Sequence, residues 1–403
     1  MGHVAPPLNV REKVEQYPCF DGLRATAALM VIVYHAVFFA AWFRTPGGTL
    51  FWNLNSGVWI FFVTSGFLLY RPFAAAHVNA SRVDVRGYAL RRFARIYPAY
   101  WVVLAFFTFV VARASYAGGV SGVLSVTLTK TYVHESNPYL IGLPPAWSLV
   151  VEVTFYAFLP IYAAAIGALA RKWRALFVEF TGLVVLGAIG TGAIVAVATG
   201  HDPPWVTVLP QHLAAFALGM LLAVVSVQHW SEHTATTLER LGRPAWIWWT
   251  LALAVFLAIP LALRIEPFEA MSTAQAIGLN VLETLLGFFI VVPAVLGPQQ
   301  HGAIRRVLRT PPLVFLGLIS YGLYLWHWFL LRIVLGDWLG WPLQKGNWLT
   351  LLVVALPLVI AAATASWYLV ERPILRWARA AGHTGARRVP TPTGPAPGRA
   401  HDT

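Results

Sequence analysis

A single cysteine, Cys19, stands among 403 residues, so no disulfide can close within this chain. Charge is nearly as scarce. Asp, Glu, Lys and Arg make up 11% of the sequence, where a globular chain carries about a quarter, so most of the length sits in a medium that does not reward charge. Acids are the scarcer sign, with 16 Asp and Glu against 29 Lys and Arg and a net charge of +13. That excess does not make a nucleic-acid surface, because no segment is long and polar enough to gather the cations on a water-facing domain. Nor is there a disordered or collagen-like bulk in a chain holding 18 Trp, 24 Phe and 14 Tyr.

What the chain has in abundance is apolar side chains, 58% of the total, with a mean hydropathy of +0.65. A length that would otherwise suggest two or three soluble domains therefore reads as one all-α, polytopic membrane protein. A spanning helix needs about 20 mostly apolar residues. That ruler finds ten segments, near 22–43, 55–73, 94–114, 146–169, 175–199, 204–227, 245–263, 273–297, 311–335 and 348–370. The tail before the first lacks the design of a cleavable signal, so the first span is expected to remain. Of the basic residues, 22 fall on the side of the N-terminus and six on the other, namely Arg44, Arg113, Lys130, Arg264, Arg332 and Lys345. The positive-inside rule then puts both termini in the cytoplasm, with the chain in the cytoplasmic (inner) membrane.

The expected organisation is a cytoplasmic tail over 1–16, a membrane-embedded domain over 17–375, and a mostly disordered cytoplasmic tail over 376–403. Between the third and fourth spans, the apolar stretch 120–133 is too short to cross and reads as an interfacial or re-entrant helix on the outer side.

Ionisable residues inside spans are costly and mark function by default. Among those that stand there are Arg24 and His35 in the first span, Glu152 in the fourth, His212 in the sixth, Glu283 in the eighth and His327 in the ninth. Eleven residues separate Arg24 from His35, about three full turns, so they share a face about 16 Å apart along the axis. Arg24 then lies near the cytoplasmic surface and His35 beyond the midplane. Glu152 and His35 fall at nearly equal depth, about 9 and 12 Å below the outer rim. A carboxylate beside an imidazole would hold its tautomer for general-base work; a structural Glu–His pair and a snorkelling Arg24 are the plainer alternative. Asp21 is a candidate N-cap for the first helix. Arg92 and Arg95, spaced i and i+3, present two guanidinium forks suited to phosphate, or else serve as positive-inside anchors among anionic lipids. The histidines lack metal-ligand spacing, and no metal is expected.

Seven ordered motifs resemble acyltransferase family 3, bacterial integral-membrane O-acyltransferases. They are FDGLRATAALMVIVYHA with Arg24 and His35, FFVTSGFLLYRP around Ser65, RRFARIYPAYW with Arg92 and Arg95, WSLVVEVTFYAFLP with Trp147, Ser148 and Glu152, FALGMLLA, ISYGLYLWHW with His327, and LVERP. The resemblance spans residues 17 to 375. It implies an acyl-CoA donor, acetyl-CoA foremost, on the cytoplasmic side, with Arg24, Arg92 and Arg95 holding its phosphates. It also implies His35 as the catalytic histidine, either as base or as acyl relay, and in the combined reading Glu152 orients it. Ser65, Trp147, Ser148, His212 and His327 are the candidate substrate pocket. Val153 after Glu152, and Gln211, His212, Ala214 and Ala215 before the sixth-span motif, depart from many relatives, so no acceptor carries over. The acceptor class is a carbohydrate or glycosylated natural product, such as a cell-envelope glycan, with membrane lipids around it. The competing reading is a proton-coupled secondary transporter using the buried His and Glu residues, although no repeated halves are visible. A third is an export component on a degenerate acyltransferase scaffold.

Overall fold

The structure, a computed structural model, describes residues 17–45, 47–111, 120–132, 143–201, 208–265, 269 and 271–384. Among the described residues every regular element is helical, as long apolar runs require in lipid, where only a helix satisfies its backbone within one segment. The order begins α1 (Phe20–Phe39), α2 (Gly48–Trp52), α3 (Gly57–Val78), α4 (Val85–Phe106), α5 (Val120–Val126), α6 (Trp147–Ala170), α7 (Ala175–Ala198) and α8 (Leu213–Val227). It continues α9 (Glu232–Gly242), α10 (Ala245–Ala258), α11 (Thr273–Val295), α12 (Ala303–Leu308), α13 (Pro311–Leu318), α14 (Ser320–Ile333), α15 (Trp348–Ser366) and α16 (Arg372–Thr384). Nine stretches of the described residues are long and apolar enough to cross a membrane, or ten when the bent pair α13–α14 is one span.

Three boundaries differ from those expected. α4 starts at Val85, not near 94, so Arg86, Arg91, Arg92 and Arg95 ride on the helix itself. Asp84 caps it by accepting from Gly87 N at 3.0 Å, and a hydropathy ruler is blind to a polar first turn. The ninth span breaks at Ile319 with a 73° bend. The tenth runs through a π-helical turn, Trp367–Glu371, into α16, past the boundary drawn at 375 and on to Thr384. Residues 385–403 lie outside the described residues. Asp21 is not the cap of α1. The helix starts two residues earlier with Cys19 at the N-cap, and Asp21 sits in the first turn, where its charge complements the positive end of the helix dipole.

Close crossings hold the core. α3 and α8 form the most extensive helix pair. A Cβ at Gly66 would collide with the Phe216 backbone and one at Gly219 with the Val63 backbone, so the pair uses small residues to bring backbones together. α1 is central to the bundle, touching α3, α13, α14 and α15.

The stretch expected to be interfacial or re-entrant is a short helix docked deep against α4. Its exposed C-terminal carbonyls are taken by side chains halfway along that span: Tyr100 Oη donates to Ser125 O at 2.6 Å, Trp101 Nε1 to Val126 O at 3.0 Å and Tyr97 Oη to Thr127 O at 3.3 Å. Tyr132 and Thr154 hydroxyls meet at 2.5 Å, tying the segment to α6 as well. Irregular backbone at membrane depth survives only when its polar groups are satisfied, and three aromatic donors do that here. Residues 133–142 lie outside the described residues.

At the end of the bundle near Cys19, Arg305 is fully buried. Its guanidinium donates to the carbonyls of Pro293, Arg243, His301, Gly242 and Leu296, gathering the C-terminal ends of α9 and α11, which would otherwise leave oxygens unpaired, and the connection before α12.

Candidate active site

The expected site residues divide between two cavities. One, of about 140 Å³, is lined by Arg24, Arg92 and Arg95 with Glu152, Ser65 and Ser148; the other, of about 400 Å³, by His35, Tyr34, Trp147 and Trp328. Val58 and Tyr324 line both. The single pocket anticipated from depth is thus an arginine chamber and a histidine chamber that share a wall.

Tyr324 forms that wall. Its hydroxyl donates to Pro145 O and accepts from Ser148 Oγ at 2.8 Å, fixing the ring across the junction between α14 and the start of α6.

In the arginine chamber, Glu152 accepts from Ser65 Oγ at 2.9 Å and from Tyr156 Oη at 2.6 Å. Arg92 lies over the rings of Tyr88 (5.9 Å) and Tyr156 (5.7 Å), a packing that suits a planar, weakly hydrated cation. Arg95 Nη1 pairs with Glu371 Oε2 at 3.4 Å on the π-helical turn, with its guanidinium over Tyr321 and Trp367. Tyr321 in turn donates to Ile96 O at 2.7 Å, locking α14 to α4. Several polar atoms of this chamber are buried and lack a partner among the described residues: Arg92 Nε, Arg95 Nη2, Thr64 Oγ1 and Ser320 Oγ. Three guanidinium groups against one lining carboxylate, with spare donors between them, form a site for an anionic, hydrogen-bonding ligand.

In the histidine chamber the tautomers can be assigned from the network. His327 Nδ1 faces two carbonyl oxygens, Tyr324 at 2.7 Å and Leu323 at 3.2 Å, so it carries the proton and its Nε2 is an acceptor. His35 Nδ1 faces Val31 O at 2.9 Å and His327 Nε2 at 3.0 Å, both acceptors, so it too carries its proton. The lone pair of His35 therefore resides on Nε2, which bonds to none of the described residues. Trp328 packs edge-on to the His35 ring at 5.0 Å and closes one side of the chamber.

This network corrects one expectation. Glu152, expected level with His35, does not bond to it: the carboxylate lies in the chamber of Arg24 and accepts from Ser65 and Tyr156, while His327 with a backbone carbonyl holds the imidazole instead. His212 lines neither chamber. It is buried among Trp59, Phe62 and Trp147, ring centroids 5.2 to 5.9 Å away, with both ring nitrogens unbonded, so it joins the wall of aromatic packing rather than the pocket. Ser65, Ser148 and Trp147 do line the chambers.

Sequence reasoning missed Tyr156, Tyr324 and Glu371. Tyr156 stands at i+4 from Glu152 and was findable as a helix-face neighbour; Glu371 is the acid closing the last apolar run. It also missed a cluster outside both chambers, where Glu179 accepts from Tyr70 Oη at 2.6 Å and lies 2.7 Å from His77 Nδ1. Among the described residues, no three His, Cys, Asp or Glu side chains group as metal ligands.

A family model described as an acyltransferase domain matches residues 17–370. A Bacillus subtilis (strain 168) protein provisionally named a peptidoglycan O-acetyltransferase is 28% identical over 383 residues, covering 89% of this chain and 54% of its own. A Listeria monocytogenes protein named peptidoglycan O-acetyltransferase is 25% identical over 376 residues, covering 89% and 55%. A Staphylococcus aureus (strain COL) protein provisionally named an O-acetyltransferase is 24% identical over 365 residues, covering 80% and 52%. The chain therefore spans about half the length of the curated relatives it matches. No solved structure matches it significantly.

Proposed function

This chain belongs to the acyltransferase-domain family, and from that membership we propose that it is a multi-pass membrane O-acetyltransferase, moving an acetyl group from acetyl-CoA to a carbohydrate hydroxyl. The observation that carries the reading is the pair of chambers meeting at Tyr324, one cationic with spare donors and the other holding an imidazole with a free Nε2 lone pair. Family membership and this layout both weigh against the transporter reading and the degenerate scaffold.

In this proposal the membrane domain spans 17–375, both termini are cytoplasmic, and the arginine chamber opens inward to the donor. Arg24, Arg92 and Arg95 bind donor phosphates, and Ser65, Ser148 and Glu152 organise the passage between the chambers. Acetyl-CoA, when bound, supplies an activated carbonyl and a thiolate leaving group. His35 Nε2 takes the proton of the acceptor hydroxyl as its oxygen attacks the carbonyl, and returns that proton to the departing sulfur. The imidazolium formed in between is stabilised by Val31 O and His327 Nε2 at Nδ1–H, the service once assigned to Glu152. The relatives' names direct the acceptor toward peptidoglycan or a similar glycan.

Purified protein in liposomes, given radiolabelled acetyl-CoA and glycan chains, tests the proposal: label must appear on sugar oxygen with wild type and not with His35→Ala. Label on sugar with the variant, or none with wild type, overturns it.

A further inference from the structure

A third cavity, of about 60 Å³, lies beside the histidine chamber and contains a carboxylate that the chemistry above does not use. Glu283, midway along α11, is 5% exposed and has no hydrogen bond or ion pair among the described residues. It lines the cavity with Thr49, Asn53 and Asn55. Asn53 Nδ2 is also buried without a partner. A lone carboxylate and a lone amide donor at membrane depth are each costly, and here both residues border the same space.

The cavity adjoins the reaction site. Trp52 and Asn55 line both it and the histidine chamber, and the Trp52 ring packs 5.0 Å from Tyr34, the neighbour of His35. Gly287, one turn along α11 from Glu283, sits against the backbone of Trp59, whose neighbour Val58 lines the His35 chamber.

One functional group satisfies both orphans together: a hydroxyl donates to a carboxylate and accepts from an amide N–H. The space exceeds the roughly 10–15 Å³ that a single water needs but cannot enclose a sugar ring, so it admits a hydroxyl-bearing edge. We propose that the Glu283–Asn53 cavity is a carbohydrate subsite, gripping a hydroxyl of a neighbouring sugar unit while the unit to be acetylated lies at His35. This rests on the acyl-transfer reading and makes the acceptor a chain of linked sugars, not an isolated alcohol.

The test uses full-length protein in nanodiscs, a soluble tetrasaccharide of β-linked N-acetylglucosamine followed by saturation-transfer NMR, and CoA binding measured in parallel. Glu283→Gln, which keeps the shape but removes the charge, and Asn53→Ala, which removes a neutral donor, are each expected to weaken tetrasaccharide binding about 10-fold and to leave CoA binding unchanged. Unaltered saccharide binding in both variants overturns the subsite, as does loss of CoA binding alongside it. A wild type that does not bind the tetrasaccharide overturns it too, and a sodium-dependent thermal shift that needs Glu283 assigns the cavity to a cation instead. If wild type binds the sugar through Glu283 but acetylates no sugar, the transfer reading falls and the subsite stands, so the two failures separate.

Discussion

His327 Nε2 lies 3.0 Å from His35 Nδ1, and because His327 Nδ1 is committed to backbone carbonyls, the two imidazoles form a one-way chain that fixes which nitrogen of His35 is free. Removing the second histidine is expected to act on the tautomer and not on the fold. His327→Ala should lower acetyl transfer by about 10²-fold or more, within the usual contribution of a positioned general base, while His327→Gln, which restores an acceptor, should recover part of it. Rates against pH with the purified variants check this; equal rates for wild type and His327→Ala would return His327 to simple packing.

Tyr324 is expected to keep the chambers apart. Tyr324→Phe removes its bonds to Pro145 O and Ser148 Oγ, so acetyl-CoA hydrolysis without transfer should rise relative to productive transfer. The ratio of released CoA to acetylated glycan measures it directly. An unchanged ratio would place the barrier elsewhere.

Arg92 and Arg95 should separate in their effects. Arg92→Ala loses ring packing and an unpaired donor, and should raise the donor KM with little change in thermal stability. Arg95→Ala also strands Glu371, and leaving a buried carboxylate unpaired costs about 3–5 kcal/mol. Adding Glu371→Gln to Arg95→Ala should recover melting temperature but not donor affinity.

Cys19 should resist thiol reagents. Burial pushes its pKa upward, only partly offset by Arg305 and Arg309, so at about pH 8.5, where a free thiol is half ionised, its thiol form predominates. As the only cysteine, it makes maleimide labelling in mild detergent a reading of local opening at the N-terminus of α1. Rapid labelling of the intact protein would contradict this packing.

The spans were legible because hydropathy integrates over twenty residues and tolerates local error. Their ends were not: α4 begins with arginines that a window averages away, and α13–α14 bends at Ile319, which carries no proline or glycine signal of its own. Within the site, residue types were readable, but the relative depth and azimuth of residues on different helices were not, since rise per residue is fixed only along one helix. Glu152, expected level with His35, lies instead in the chamber of Arg24, Arg92 and Arg95, a placement set by how α6 packs against α3. His327 could be picked out as an ionisable residue in lipid, while its role depends on a contact 292 positions away.

The closeness of α1 to residues near 305–317 has a consequence for biogenesis. Cys19 Sγ donates to Arg305 O across 286 positions, Gly22 lies against the Leu308 backbone, and Gly317 against Asp21. The first described helix is thus completed by elements nearly 300 residues downstream. At about 5–20 residues per second, α1 waits roughly 15–60 s in the bilayer for these partners, carrying Arg24 and His35 unsheltered. A membrane insertase that retains α1 during translation would protect that interval, and shortening the wait by circular permutation should raise the yield of folded protein.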